Sequence, residues 1–231
     1  MVKSRLLCAV ASLLALSCAS ASGAQLTFDG AICNGGGACG NGSAIDQTYG
    51  DVLGQLDVVY DRQLGDATAP GTAGARLSFW FLNYSNLTNV AWGGQTDAVG
   101  TAEIFLQPLS GFQVTLLGLD LGAWPNTDRD SQLTILSGAG DLLFSSGPIT
   151  VDGITASSFP FDLTRSDGIR IQWGPSAFNA GIDNIEFNVT WPGGTAPEPP
   201  ASALMLACFG LLCLFARRRQ VTIGAEGRTT L

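Results

Sequence analysis

The chain has 231 residues, 30 of them glycine and none histidine, with a formal net charge of −8 and 46% hydrophobic residues. Without histidine it has neither a serine–histidine triad nor a histidine general base. Its acidic residues outnumber basic ones 19 to 11, a balance that repels phosphate backbones and argues against nucleic acid as a partner.

Met1 to Ala24 has the layout of a secretory signal peptide. Lys3 and Arg5 precede an apolar run from Leu6 to Leu16 broken only by Ser12. Small residues follow, and Ala19-Ser20-Ala21 and Ser22-Gly23-Ala24 both suit signal-peptidase cleavage. The apolar core is too short for a spanning helix. Cys18 keeps a lipoprotein reading open, although Ala15-Leu16-Ser17 before it is a poor acylation signal.

Of six cysteines, Cys8 and Cys18 lie in this leader and Cys208 and Cys213 near the other end. Only Cys33 and Cys39 fall in the intervening domain, separated by the flexible Asn34-Gly35-Gly36-Gly37-Ala38. In an oxidising compartment such a pair reads as a local disulfide, with two free thiols as the alternative. A zinc site would need two further soft ligands that the domain lacks.

Between Gln25 and Ala196 stand 17 Asp and Glu against five Arg and no Lys, a net charge of −12. The preference for Asp over Glu suits turns and calcium ligation. Short apolar runs of period two predict strands near Gln25–Phe28, Gln55–Tyr60, Arg76–Leu82, Thr101–Leu106, Phe112–Leu121, Ser131–Leu136, Leu142–Ser145, Gly168–Trp173 and Ile182–Val189. No stretch of adequate length shows a helical period. Residues 25–190 are therefore expected to form an all-β, antiparallel, jelly-roll-like sandwich, followed by a linker over 191–196.

Two loops carry a candidate sugar platform. Trp92-Gly93-Gly94-Gln95 and Trp124-Pro125-Asn126-Thr127-Asp128-Arg129 set an indole beside polar residues, and flat aromatic faces stack on sugar rings. Trp92, Trp124, Asp128 and Arg129 are thus candidate glycan contacts, with packing of each indole under its own loop as the plainer reading. A carboxylate pair, for example among Asp120, Asp128 and Asp130, would be a route to glycosidase chemistry, but catalysis is not expected.

The chain ends in a three-part pattern: Pro197-Glu198-Pro199, an uncharged apolar run over Ala201–Ala216, and Arg217-Arg218-Arg219. As a helix the run measures roughly 24 Å, a little under the thickness of a bilayer core. The arginines mark a cytoplasmic flank. These 23 residues resemble the PEP-CTERM sorting signal of Gram-negative bacteria. The resemblance implies a transient inner-membrane anchor, recognition by an exosortase-type protease near the Pro-Glu-Pro, and delivery to the cell surface or extracellular matrix. Gln220 to Leu231 extend beyond the usual end of such tails as a short cytoplasmic segment, so a plain single-pass anchor stays open.

Gly181-Ile182-Asp183-Asn184-Ile185-Glu186-Phe187 resembles the closing strand of secreted jelly-roll domains, including carbohydrate-binding modules. That resemblance implies a structural calcium at Asp183 together with Asp29 of Phe28-Asp29-Gly30, with Asp46 and Asp51 as weaker ligands. The alternative is that Asp183 and Asn184 cap a strand end. The expected whole is a non-catalytic surface or matrix protein that meets exopolysaccharide or matrix components. A lectin-like module for one defined glycan is the alternative.

Overall fold

The computed structural model describes residues 23–33, 35–64, 77–93 and 100–192. The leader up to residue 22, the linker from 193, the sorting segment with its apolar run and the tail 220–231 lie outside the described residues. Among the described residues there is no helix long and apolar enough to cross a membrane. They form twelve strands: β1 (Gly23–Leu26), β2 (Leu56–Leu64), β3 (Ser78–Tyr84), β4 (Leu87–Trp92), β5 (Gly100–Pro108), β6 (Gln113–Ala123), β7 (Arg129–Ser137), β8 (Leu142–Ser145), β9 (Ile149–Val151), β10 (Ser157–Arg165), β11 (Ile169–Gly174) and β12 (Ala180–Thr190).

The strands build two six-stranded sheets. One runs β10-β6-β12-β4-β3 with β1 also on β12, and the other runs β2-β5-β11-β7-β8 with β9 also on β7. Their pairings are antiparallel, so the expected sandwich is what the chain adopts. The first and last strands do lie side by side, with Gly23 opposite Asn188 and Leu26 opposite Ile185.

Alternation explains the core. In β11, Ile169, Ile171 and Trp173 are fully buried in the main cluster, and the Trp173 indole N–H donates to Ala180 O at 2.8 Å. Ile182, Ile185 and Phe187 of β12 and Leu116, Leu119 and Leu121 of β6 meet them from the other sheet. Each such side chain contributes about 1.5–3 kcal/mol by leaving water.

Three strands escaped the sequence reading, each for a physical reason. In β4, Ala91 faces the main core while Leu87, Val90 and Trp92 pack into a second cluster on the other face. Apolar residues on both faces erase the period-two signal. β10 carries Pro160, which demotes a candidate strand but is tolerated at an edge. β9 is only three residues long.

The second cluster joins Tyr84, Leu87, Val90 and Trp92 to Trp80, Trp124, Ala156 and Phe178. Its rings meet edge to face, with centroids 5.3 Å apart for Trp80–Trp92, 5.0 Å for Trp92–Phe178 and 5.5 Å for Trp124–Phe178. It fastens the β3–β4, β6–β7, β9–β10 and β11–β12 connections to the sheet.

Cys33 and Cys39 are joined by a disulfide with a Cα separation of 5.3 Å. Trp191, expected in the linker, instead packs against Phe112 at 5.1 Å, so the domain's packing reaches one residue past its last strand.

The connection after β7 shows where size matters most. A Cβ on Gly138 would lie 1.7 Å from Asp167 O, a clash that only backbone movement relieves. Gly138→Ala is expected to destabilise the domain by about 2–3 kcal/mol, measured as a lower urea midpoint with an unchanged slope.

A polar groove at a bulge in the last strand

β12 changes register against β6 twice in succession, between Asp183 and Glu186 and again between Glu186 and Phe187. It pairs with β6 from Ala180–Ala123 to Asp183–Asp120 and resumes at Glu186–Gly118, leaving one extra residue on β12. The extra residue keeps both Ile182 and Ile185 pointing into the core, which strict alternation across Asp183-Asn184 would forbid. Asn184 absorbs the kink at φ 52°, a left-handed conformation that asparagine tolerates. The other edge of β12 is shared. β4 meets it at Ile182 and β1 begins at Ile185, so Asp183 and Asn184 occupy the gap between them.

Around this gap the fold opens a groove of about 420 Å³. Thr27 and Asp29 enter after β1, Asn86, Leu87, Thr88 and Asn89 from the β3–β4 turn and β4, and Asp120 from β6. Thr155, Ala156 and Ser158 complete the wall from the β9–β10 side. That wall is held by short bonds. Asp152 Oδ1 accepts the Ile154 and Thr155 amides at 2.7 Å, and Asn86 Oδ1 accepts the Ala156 amide at 2.7 Å. The two backbone donors keep the exposed Asp152 carboxyl below its usual range.

Three carboxylates face the groove, and no lysine or arginine lines it. Asp183 Oδ1 accepts the Asn184 amide at 2.8 Å, and the Asn184 side-chain amide donates to Asp120 Oδ2 at 2.8 Å. The Asn89 side-chain amide donates to Asp29 Oδ1. Asp183 is 6% exposed. Burial, with repulsion from Asp29 and Asp120, pushes its pKa up to about 7 against the opposing pull of the Asn184 N–H.

Asp29 and Asp183, the expected calcium pair, thus do share one site. Asp46 and Asp51 do not line it. Asp46 accepts the Gly35 and Thr48 amides, and Asp51 accepts the Val58 amide at 2.7 Å while burial raises its pKa. Among the described residues no group of three His, Cys, Asp or Glu is gathered closely enough to hold a metal ion. A calcium ion would have to draw most of its six to eight oxygens from hydroxyls, amides, carbonyls and water.

The four expected glycan contacts lie elsewhere. Trp92 is buried, its indole N–H donating to Phe79 O at 3.1 Å. Trp124 packs against Trp80 and Phe178. Arg129 Nε donates to Trp124 O at 2.6 Å, and Asp128 accepts the Gly153 amide at 2.9 Å. Trp92 thus closes β4 and packs within the second cluster, while Trp124, Asp128 and Arg129 tie the β6–β7 connection to its neighbours. Asp120, Asn86, Asn89 and Thr155 carry the site in their place. Only Asp120, a polar residue between leucines, left a mark in the sequence.

The sign of the Asp183 shift fixes a pH dependence. A carboxyl whose folded pKa is raised binds a proton more tightly in the folded state, so its contribution is present at low pH and is lost as pH rises from about 4 to about 7. Asp183→Asn keeps the shape without the buried charge. It is expected to raise the melting temperature at pH 8 and to raise it less at pH 5, the two pH values differing by at most about 3 kcal/mol. Thermal melts of both proteins at the two pH values check this.

The sequence is similar to no curated protein. Among solved structures the fold is similar to a GH26-CBM35 β-(1,4)-mannanase of Podospora anserina, at 11% identity and a TM-score of 0.30 over 61% of this chain and 29% of that one. It is also similar to an exo-β-1,3-galactanase of Phanerochaete chrysosporium, at 14% identity and a TM-score of 0.29 over 57% and 27%. A third is TmCBM61 in complex with β-1,4-galactotriose, at 7% identity and a TM-score of 0.23 over 59% and 88%. The chain spans less than a third of the length of the first two, and likenesses at this level carry no argument about substrate. The carboxyl-terminal segment does match a family model: residues 195–220 are a PEP-CTERM protein-sorting motif.

Proposed function

We propose that the chain is a non-catalytic surface or matrix protein, delivered by an exosortase-type system, whose sandwich holds a polyhydroxylated matrix glycan in the groove beside Asp183. The sorting motif at residues 195–220 supports the delivery. The groove supports the binding. Its lining is made almost wholly of Asp, Asn, Thr and Ser, which pair with sugar hydroxyls as donors and acceptors. Walls pinned by Asp152 and Asn86 hold those groups in place before a ligand arrives.

Calcium is proposed as an aid to this site, on the observation that Asp29 and Asp120 both repel the Asp183 carboxylate there. A bound cation would lower the Asp183 pKa and raise the melting temperature at pH 8. An identical melt with calcium and with a chelator removes the metal. A glycosidase reading has one observation in its favour, the raised pKa of Asp183 beside Asp120, which suits a general acid. Release of reducing ends from matrix polysaccharide would establish it.

Export has its own signature. Gly23 and Ala24 pair with Asn188 and Phe187 in β1, so cleavage after Ala21 keeps the strand whole and cleavage after Ala24 removes half of it. The mature protein is expected to begin at Ser22, read from its intact mass. In the same cells Pro197→Ala with Glu198→Ala is expected to leave the protein in the inner membrane, and unchanged surface delivery counts against exosortase sorting. For the groove, Asn89→Ala and Thr155→Ala are each expected to weaken retention on extracellular polysaccharide about tenfold in affinity electrophoresis, the cost of one or two hydrogen bonds. Retention equal to wild type in both rejects the groove as the binding site.

A further inference from the structure

We propose that the end of the sandwich from which the chain enters and leaves seats on the membrane interface while the precursor is anchored, with zwitterionic lipid as the partner. This rests on the reading of residues 195–220 as a sorting signal that holds the precursor in the membrane. Register places the two exits together. Gly23 lies opposite Asn188, and β12 ends at Thr190, so the chain enters β1 and leaves β12 at the same end. The turns 52–55, 109–112 and 138–141 stand there too, because Leu56 pairs with Pro108, Thr190 with Gln113, and Ile169 with both Leu106 and Ser137.

That end presents apolar side chains to solvent. Leu53, the most exposed large apolar residue among those described at 98%, tips the first turn, and Leu142 at 64% follows the third. Leu53 is held outward by backbone bonds. Gln55 N–H donates to Val52 O at 2.8 Å to close the turn, and Gln55 O accepts the Leu109 N–H at 2.8 Å to fix it against the next one. Beside them Trp191 covers Gly111, where a Cβ would come within 1.9 Å of the indole, and its ring meets Phe112. An indole just ahead of an apolar run stands where interfacial aromatic residues belong.

Chain length keeps this end near the bilayer. From Pro192 to Ala201, where the apolar run begins, the chain reaches at most about 30 Å. Asp51 and Asp57 flank the Leu53 turn, so anionic headgroups oppose the contact and zwitterionic ones suit it. Two leucines and one indole bury less than a fatty-acyl chain, which by itself anchors only marginally. The seat therefore orients the domain without retaining it once the tail is cut. Asn184 lies about 20 Å along β12 from Thr190, so the groove stays clear of the lipid.

Photo-crosslinking of the full chain, reconstituted into vesicles of phosphatidylethanolamine and phosphatidylcholine, tests the inference. Benzoylphenylalanine replaces Leu53, Leu142 or Ile154 in turn; Ile154 is 80% exposed in the β9–β10 connection, at the other end of the sandwich. All three side chains face solvent, so none of the replacements disturbs the core. Position 53 is expected to give at least about tenfold more lipid adduct, read by intact mass, than position 154, as an apolar surface reaching into the headgroup layer should. Position 142 is expected to exceed position 154 as well. Equal yields at 53 and 154 overturn the seat while leaving the anchor in place. Adducts at 53 to a second copy of the chain, in place of lipid, overturn it in favour of an interface between copies. A chain that does not float with the vesicles overturns the anchored-precursor reading as well.

Discussion

Keeping the apolar side chains of β12 in phase is the constraint from which the rest of the structure follows. β12 is bonded to β6 along one edge and divided between β4 and β1 along the other. Ile182, Ile185 and Phe187 must all reach the core, and they do so only because Asp183 and Asn184 take up one surplus residue between them. A slip of one position would turn half the strand inside out. The bulge is therefore required by the core, and the groove is its outward expression. The same distortion that satisfies packing leaves a carboxyl group largely withdrawn from water between two others.

That arrangement accounts for the unusual electrostatics of the site. A domain of net −12 could spread its carboxylates over the surface, where water screens them. Instead Asp29, Asp120 and Asp183 are drawn to one place by three different elements, and backbone pairing fixes the last two opposite each other. Side-chain amides from Asn89 and Asn184 relieve part of the repulsion without adding positive charge. What stays unrelieved is the raised affinity of Asp183 for a proton.

Legibility in the sequence followed the physics of each element. Strands with one wet face, such as Arg170-Ile171-Gln172-Trp173, declared themselves by alternation. β4, dry on both faces, did not, and so Trp92 was read as a loop residue when it closes a strand. The break in alternation at Asp183-Asn184 was visible, and its position was right, but its nature was a bulge inside a long strand and not a cap at a strand end. Asp29 and Asp183 were paired through a resemblance. Asn86 and Thr155 enter the groove from the β3–β4 and β9–β10 connections and Asn89 from β4, a convergence that no short-range pattern encodes. The setting of Trp124 is equally non-local: its neighbours Trp80 and Phe178 lie 44 and 54 residues away in the chain.

The position of the bulge within β12 also bears on mechanics. Asn184 and Thr190 are on one continuous strand, the first at the groove and the second where the domain gives way to the carboxyl-terminal segment. Tension between a gripped ligand and that end would travel along β12 itself. Antiparallel hydrogen bonds stand perpendicular to the strand axis, so β1 and β6 would resist together, in shear, and no single pair would have to yield first.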